Sequence, residues 1–487
     1  MRIAVGNRRV GAVLKISLPI GLFLVSPYII NNNFVFIFLI PLLTVLCSED
    51  LPTVLRLALP AVLVSVLAAL LPVLVTKPAA YFVGSAVAFA FLAAFSIIVL
   101  ILLRNFRGPA LSFLIPAVVW LNLLYALNIN STVSAMFDVG VLFPVSAPLI
   151  WFTGSIGLTA LIVLFQSAVA LYIARRSWTA LILACALAAV FLGAFIFSSL
   201  QPYAAPAGNG PATRIALIQG GLPNRTFFGY KDNFNKRVER YVGLSLRACR
   251  AGADLVVWPE YAFPVDVMKR FPQQAQSVLD AARACGKEFL IGSMLDSPDG
   301  APAGYDGAII IGKDGSVAEA YYSSHPFTIG NAVRPSGASA RLMADGAGVT
   351  VCWEEANERI FRDYVNAGAG YFISLSSNID LDRSWLKGYA SFFSRARAAE
   401  NARYLARAAQ TGTTFIADPF GRITARAPND ASVFLAGDIY KVRMKTFYSI
   451  RGDILARAFA AAGILVLCVL TVLRLIASRR EVLYGSR

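Results

Sequence analysis

Seven apolar runs are long enough to cross a hydrocarbon core of about 30 Å, near 13–30, 54–75, 80–103, 109–127, 147–173, 179–199 and 455–477. An eighth, shorter run near 33–47 follows the turn Asn31-Asn32-Asn33. Continuous apolar chain on this scale leaves few alternatives to a helical membrane bundle, because lipid satisfies no backbone polar group. About eight spans are expected. The chain is 15% charged, against about a quarter for an average soluble protein. Its net charge of +16 is unevenly placed: residues 201–450 hold 28 basic and 23 acidic side chains, whereas the other 237 hold 16 and 5. Sparse positive charge between apolar runs is a membrane-flank pattern rather than a nucleic-acid footprint, and no basic stripe with interleaved aromatics is present.

The basic residues also orient the spans. Arg2, Arg8, Arg9 and Lys15 precede or open the first, Arg56 follows the second, Arg104 and Arg107 the fourth, Arg175 and Arg176 the sixth, and Arg474, Arg479 and Arg480 the eighth. The opposite loops carry almost none, Lys77 excepted. Both termini are therefore expected in the cytoplasm and residues 200–454 outside it. The first run has a basic lead but no small-residue cleavage site, and reads as an anchor rather than a signal peptide. The expected division is 1–199 as a membrane domain of seven helices, 200–454 as an extracytoplasmic domain, and 455–487 as a last span with a cytoplasmic tail. Asp138, in the charge-poor stretch 128–146, reads as a solvated loop charge or, more sharply, a lipid-headgroup contact.

Residues 200–212, rich in Pro, Ala and Gly, read as a linker. Beyond them, strand-like runs at Arg214–Gln219, Asp254–Trp258, Glu288–Gly292, Ala308–Ile311, Val349–Trp353, Tyr371–Ser376 and Thr413–Ala417 alternate with helical stretches at 230–250, 274–285, 356–367 and 386–409. That alternation predicts α/β layering.

Cysteine and histidine usage narrows the chemistry. Cys47, Cys185 and Cys468 lie in apolar runs and read as packed side chains. Cys249, Cys285 and Cys352 have no CxxC or Cys/His spacing, so no metal site is implied. Cys249 and Cys285 both fall in expected helices, where they could pair in an oxidising compartment or remain thiols. His325 is the only histidine, and no GxSxG elbow accompanies it; a structural role suits it better than a catalytic one.

Two strand ends carry chemistry. Leu255-Val256-Val257-Trp258-Pro259-Glu260 delivers a carboxylate beside prolines, where desolvation favours a general base. Val349-Thr350-Val351-Cys352-Trp353-Glu354 delivers a thiol into a strand-to-helix turn, where a base and a helix N-terminus can activate it. Each has a plain alternative, a surface carboxylate and a core cysteine. Glu355 and Glu358 read as helix-start charges. Arg395, Arg397, Arg403 and Arg407 read as a partly solvated helix face on which Glu400 makes ion pairs. Tyr321, Tyr322, Phe327, Phe392 and Phe393 read as core, or as an acyl-chain entrance.

Taken in order, these segments resemble the nitrilase, or carbon–nitrogen hydrolase, superfamily. The matching pieces are Arg214–Gly220, Trp258–Pro264, Val351–Glu354, Ser376-Ser377-Asn378, Arg397–Arg403, Thr411-Gly412 and Asp418–Gly421. With eight spans and that domain placed before the last one, the chain resembles the apolipoprotein N-acyltransferases of the bacterial inner (cytoplasmic) membrane. The resemblance implies an α-β-β-α sandwich and a Glu–Lys–Cys triad without cofactor or metal. Glu260 would be the base, Cys352 the nucleophile and Glu354 a supporting carboxylate. An acyl chain would pass from membrane phospholipid, through a thioester, to a lipoprotein's N-terminal amine. The sequence departs from the pattern at Tyr321-Tyr322-Ser323-Ser324-His325, where Ser323 takes the lysine position, and at Asn331, where the acyltransferases carry glutamate; Arg334, Lys313 or Lys387 are possible stand-ins. The departure leaves open a nitrilase-like membrane homologue that acts as an interaction or assembly component, as in TraB-like conjugal transfer proteins. Hydrolysis of a small amide or nitrile would not call for eight spans.

Overall fold

The computed structural model describes residues 39–48, 59–76, 78–106, 112–127, 137–201, 211–221, 234–297, 304–326, 342–377 and 386–484, with a few isolated positions between them. The expected span at 13–30, the basic residues before it, Lys77, Phe327, Asn331 and Arg334 lie outside the described residues, as does the Lys387 side chain.

Helices α1 (Ile40–Ser48), α2 (Leu59–Thr76), α3 (Pro78–Asn105), α4 (Leu114–Leu127), α5 (Leu149–Arg175) and α6 (Trp178–Leu200) precede the first strand, and α13 (Ile454–Tyr484) follows the last. Among the described residues four helices are long and apolar enough to cross a membrane, at Phe82–Asn105, Leu149–Arg175, Trp178–Leu200 and Ile454–Ser478, where eight spans were expected. Helix α4 is apolar but only 14 residues long. Leu42, Phe95, Trp120, Leu158 and Ile162 are fully or almost fully buried between these helices. Large apolar side chains on α6 and α13, such as Ile182, Leu192, Leu465 and Leu473, face outward, as lipid contact requires.

Between α6 and α13 lie two facing sheets. Six strands run in the order β11-β1-β2-β3-β4-β5 and five in the order β10-β9-β8-β7-β6. The strands are β1 (Thr213–Gln219), β2 (Leu255–Phe263), β3 (Glu288–Leu295), β4 (Tyr305–Ile311), β5 (Val317–Tyr322), β6 (Ala347–Val351), β7 (Tyr371–Ser376), β8 (Leu405–Ala409), β9 (Phe415–Ala417), β10 (Ile423–Arg426) and β11 (Val433–Ile439). The period of two in a strand explains the layering. Ile215, Leu217, Leu255 and Val257 point to the inter-sheet core with Val349, Ile373 and Ala406. Ala216, Ile218, Val256 and Trp258 point the other way, onto helices α7 (Phe234–Arg250) and α9 (Pro272–Cys285); a single turn, α8 (Val267–Arg270), precedes α9. Beneath the second sheet, Phe361 and Val365 of α10 (Glu358–Asn366) pack on Phe372, Leu405 and Phe415. The result is the helix–sheet–sheet–helix sandwich the resemblance implies.

Three sequence expectations need correction. The helix expected over 386–409 stops at Glu400 in α11 (Leu386–Glu400), and Leu405–Ala409 becomes β8. Parallel pairing from Phe372↔Leu405 to Ser376↔Ala409 overrides the helical propensity of an alanine-rich segment. The strand expected to reach Trp353 ends at Val351, because Cys352 turns the chain at φ 59°. Asp138 is not a solvated charge: it is buried, and its carboxylate accepts from Ser155 Oγ (2.5 Å) and Thr159 Oγ1 (2.6 Å) of α5.

Asp138 belongs to a junction between the membrane helices and the sandwich. Helix α5 breaks at Gly154 (φ 63°), where a Cβ would lie 2.2 Å from the Tyr448 ring. The break frees the Ser155 amide, which donates to Glu400 Oε1 (2.7 Å), while Arg397 Nη1 donates to Glu400 Oε2 (2.7 Å). Arg422, on the sandwich, donates to the Ser198 and Gln201 carbonyls at the end of α6. Burial pushes Glu400 up to about 7, against the attraction of Arg397. The folded chain then holds this proton more tightly than the unfolded one, so the stabilisation present in acid is lost as pH rises from about 4.5 to about 7. The unfolding midpoint should fall between about pH 5 and about pH 8; thermal melts of Glu400→Gln, neutral throughout, should show a flatter dependence.

The cysteines left open in the sequence are paired: a Cys249–Cys285 disulfide joins α7 to α9 across 36 residues. A loop of that size corresponds to about 3–4 kcal/mol, or roughly 6–16 °C in the unfolding midpoint of a domain this large. Cys285→Ser should lower the midpoint by that amount, and maleimide should label the pair only after reduction.

Candidate active site

Strand β2 pairs in register with β3 up to Trp258↔Ile291, and the next pair is Phe263↔Ser293. Four residues of β2 therefore bulge against one of β3. Pro259 cannot donate to the ladder, and Tyr261 adopts φ 52°. Gly292 lets the bulge press close, since a Cβ there would stand 2.2 Å from the Pro259 carbonyl oxygen. The bulge places the Glu260 side chain, 1% exposed, between the sheets' ends, where Oε2 accepts from the Ser377 amide (2.7 Å).

Cys352 arrives from the other sheet. Strand β6 ends at Val351, and a 3-10 turn runs Cys352–Ala356 before Asn357 caps α10 by accepting from the Arg359 amide. Of the five non-glycine residues with positive φ among the described residues, two are Tyr261 and Cys352, one on each side of this site, as strain held at functional positions would be. The partly buried Cys352 sulfur lies within 4.8 Å of a Glu260 carboxylate oxygen. Burial pushes this thiol well above its ordinary range, and the negative charges of Glu260 and Asp306 push it further. It therefore sits as a neutral thiol with a buried carboxylate close by.

Asp306 was missed by the sequence reading. It lies on β4, 3% exposed, and accepts from the Tyr261 hydroxyl (2.5 Å). Glu260, Asp306 and Cys352 bring one ligand-type atom each within 4.8 Å of one another. That donor set could also hold a cation, although the sequence implies no metal. A carboxylate opening the otherwise apolar run Gly307–Ile311 was the available signal.

The supporting residues sort themselves by contact. Glu354 is fully buried and accepts from the Tyr321 hydroxyl, the Ser324 amide and hydroxyl, the His325 amide and the Val351 amide. It thereby ties the Cys352 turn to the end of β5. Ser323 follows β5, and its amide donates to the Asp306 carbonyl (2.8 Å). Its hydroxyl is buried with no hydrogen-bond partner among the described residues. His325 is exposed, with Nδ1 against Ser324 Oγ, away from a catalytic role. Lys313 lies in the exposed β4–β5 turn.

Glu355 is not the helix-start charge expected. It is buried and bound bidentately by Arg407 (2.9 and 2.9 Å), and it also accepts from Ser374 and Ser394. Arg397, Arg403 and Arg407 are likewise buried rather than a solvated face. Trp353 meets Phe393 edge-on (5.7 Å), and Phe392, Phe393 and Tyr389 join the apolar cluster of the membrane helices. The Cys352 turn thus abuts the membrane-helix core.

Residues 214–445 match the family described as carbon-nitrogen hydrolase. Among curated proteins, the chain is 28% identical over 285 residues to an apolipoprotein N-acyltransferase of Geobacter metallireducens, covering 54% of each chain. It is 23% identical over 320 residues to one of Thermosynechococcus vestitus, covering 62% of this chain and 61% of that protein. The matches thus span between about half and three fifths of these relatives' length. Among solved structures, an amidase of the nitrilase superfamily from Nesterenkonia is 18% identical, with TM-score 0.40, covering 53% of this chain and 99% of that one.

Proposed function

From a chain that resembles apolipoprotein N-acyltransferases and carries a carbon–nitrogen hydrolase domain, we propose a membrane acyltransferase that works through a thioester on Cys352. The observation that carries the reading is the buried Glu260 carboxylate within 4.8 Å of the Cys352 sulfur, at a strained turn. Glu260 takes the thiol proton as sulfur attacks an acyl carbonyl, and the nucleophilic step splits one transfer into two. The donor is a membrane phospholipid ester, which the apolar cluster beside Trp353 suits. The acceptor is the N-terminal amine of a lipoprotein. Glu354 holds the turn, and Ser323 stands where the family's lysine would.

The accompanying topology places membrane-spanning helices within 1–199 and after the domain at 200–454 in the bacterial inner membrane. Both termini are cytoplasmic and the sandwich lies outside. The Cys249–Cys285 disulfide supports that side, since disulfides persist in oxidising compartments.

Full-length protein incubated with phosphatidylethanolamine vesicles should gain one acyl mass on Cys352, read by intact mass, and Cys352→Ala should gain none. A folded wild-type preparation without adduct overturns the reading. Ser323 favours a second reading, an assembly component of the conjugal-transfer kind that has lost the chemistry. It requires Cys352→Ala to leave the cellular phenotype intact.

A further inference from the structure

We propose that the strap Lys441–Arg451, which leads from β11 to α13, is a docking surface for the headgroups of anionic phospholipids in the leaflet that the sandwich faces. Its place in the fold sets its depth. Helix α12 (Phe447–Arg451) is separated from α13 only by Gly452 and Asp453, and the Phe447 ring stacks on Phe152 in the first turn of α5 (6.1 Å). Both α5 and α13 are long and apolar enough to cross a membrane, at Leu149–Arg175 and Ile454–Ser478, and both begin beside the strap. It therefore lies where two spans enter lipid, at the level of the headgroups. Lipid contact here requires those spans and is independent of whether Cys352 is acylated.

The charge at that level is one-sided. Residues 440–451 hold four basic side chains and no acidic one, and Lys441, Arg443, Lys445 and Arg451 are all exposed. Lys445 reaches Asn366 Oδ1 at 3.5 Å; the other three make no ion pair or hydrogen bond among the described residues. The next acid along the chain, Asp453, is buried and bound by Arg457 (2.8 Å). Four cations without a protein counter-charge suit a surface that supplies phosphate.

Apolar side chains interleave with them. Met444, Phe447 and Ile450 are exposed, and Ile454 and Leu455 continue that exposed apolar surface into the span. Helix α12 shows how the two kinds of side chain come to share a face. It buries Tyr448 and Ser449, so Phe447, Ile450 and Arg451, at i, i+3 and i+4, turn outward together. This is the pattern of an interfacial segment, whose rings and aliphatic chains enter the acyl boundary while its cations stay among the phosphates. A soluble anion would make no use of Met444, Phe447 and Ile450.

Native mass spectrometry of the full-length, detergent-solubilised chain, titrated with dioleoyl-phosphatidylglycerol or dioleoyl-phosphatidylcholine, tests this. The wild type should retain phosphatidylglycerol the more tightly. Replacing Lys441, Arg443, Lys445 and Arg451 together by glutamine should weaken that binding by about tenfold or more, since each basic side chain at an anionic surface contributes roughly fivefold. Phosphatidylcholine binding should stay unchanged. Arg443→Gln with Arg451→Gln alone, a milder change, should lose about half as much on a logarithmic scale. Arg175→Gln with Arg176→Gln, at the far end of α5, should leave the strap's share in place. A wild type without preference for phosphatidylglycerol, or a quadruple variant that binds it as the wild type does, overturns the proposal. Displacement of the lipid by millimolar inorganic phosphate overturns it too, because the surface would then take any phosphate.

Discussion

Glu260→Gln is expected to slow thioester formation on Cys352 by about 10²–10⁴-fold, the usual contribution of a positioned general base. The reason is the state of the thiol. Burial and two carboxylates keep it protonated well above its ordinary range, so little thiolate exists at neutral pH and the proton must leave during attack. Glutamine offers no carboxylate to receive it. The same substitution removes a negative charge from beside the sulfur, which should make the thiol easier to ionise. Two measurements on one variant should therefore move in opposite directions. Iodoacetamide alkylation should shift to lower pH, while acylation by phospholipid, followed by intact mass, should fall. Acylation at the wild-type rate would remove Glu260 from the chemistry.

Arg407→Met is expected to lower stability by about 3–5 kcal/mol, because it leaves Glu355 buried and uncompensated. For a domain this large that is roughly 6–20 °C in the unfolding midpoint, measurable by thermal melting of the full chain. Arg407 binds both oxygens of Glu355 and also donates to Ser376 Oγ and the Thr413 carbonyl, so several buried acceptors lose their donor together. Replacing both partners removes the orphaned charge, and Glu355→Gln with Arg407→Met should recover part of the loss. A double variant no more stable than Arg407→Met alone would argue against the ion pair as the cause.

Strands β1, β2, β3 and β7 were legible as apolar runs of the right length, and Glu260 and Cys352 as polar residues delivered by strand ends. What stayed hidden depends on distant partners. Nothing local marks Leu405–Ala409 as a strand; the parallel neighbour β7 decides it. Glu355 and Arg407 look like solvated helix charges until the fold, 52 residues apart in sequence, brings them together. Asp138 reads as a loop residue because its hydroxyl partners lie a helix away. Asp306 was overlooked for a different reason. A single carboxylate at the start of a strand is ordinary, and its proximity to Cys352 arises only when the β2 bulge and the β6 turn meet it.

The backbone at Cys352 also limits the evolutionary routes open to this chain. At φ 59° the residue occupies a region where any side chain is uncommon and a β-branched one is a genuine outlier. Serine can follow cysteine here with little change in shape, whereas threonine would set its extra methyl against the turn. A lineage that exchanged sulfur for oxygen at this position would have to pass through serine, and one that gave up nucleophilic chemistry would relax most readily through glycine. The identity of residue 352 across related chains is thus a readable record of whether the turn still serves a reaction.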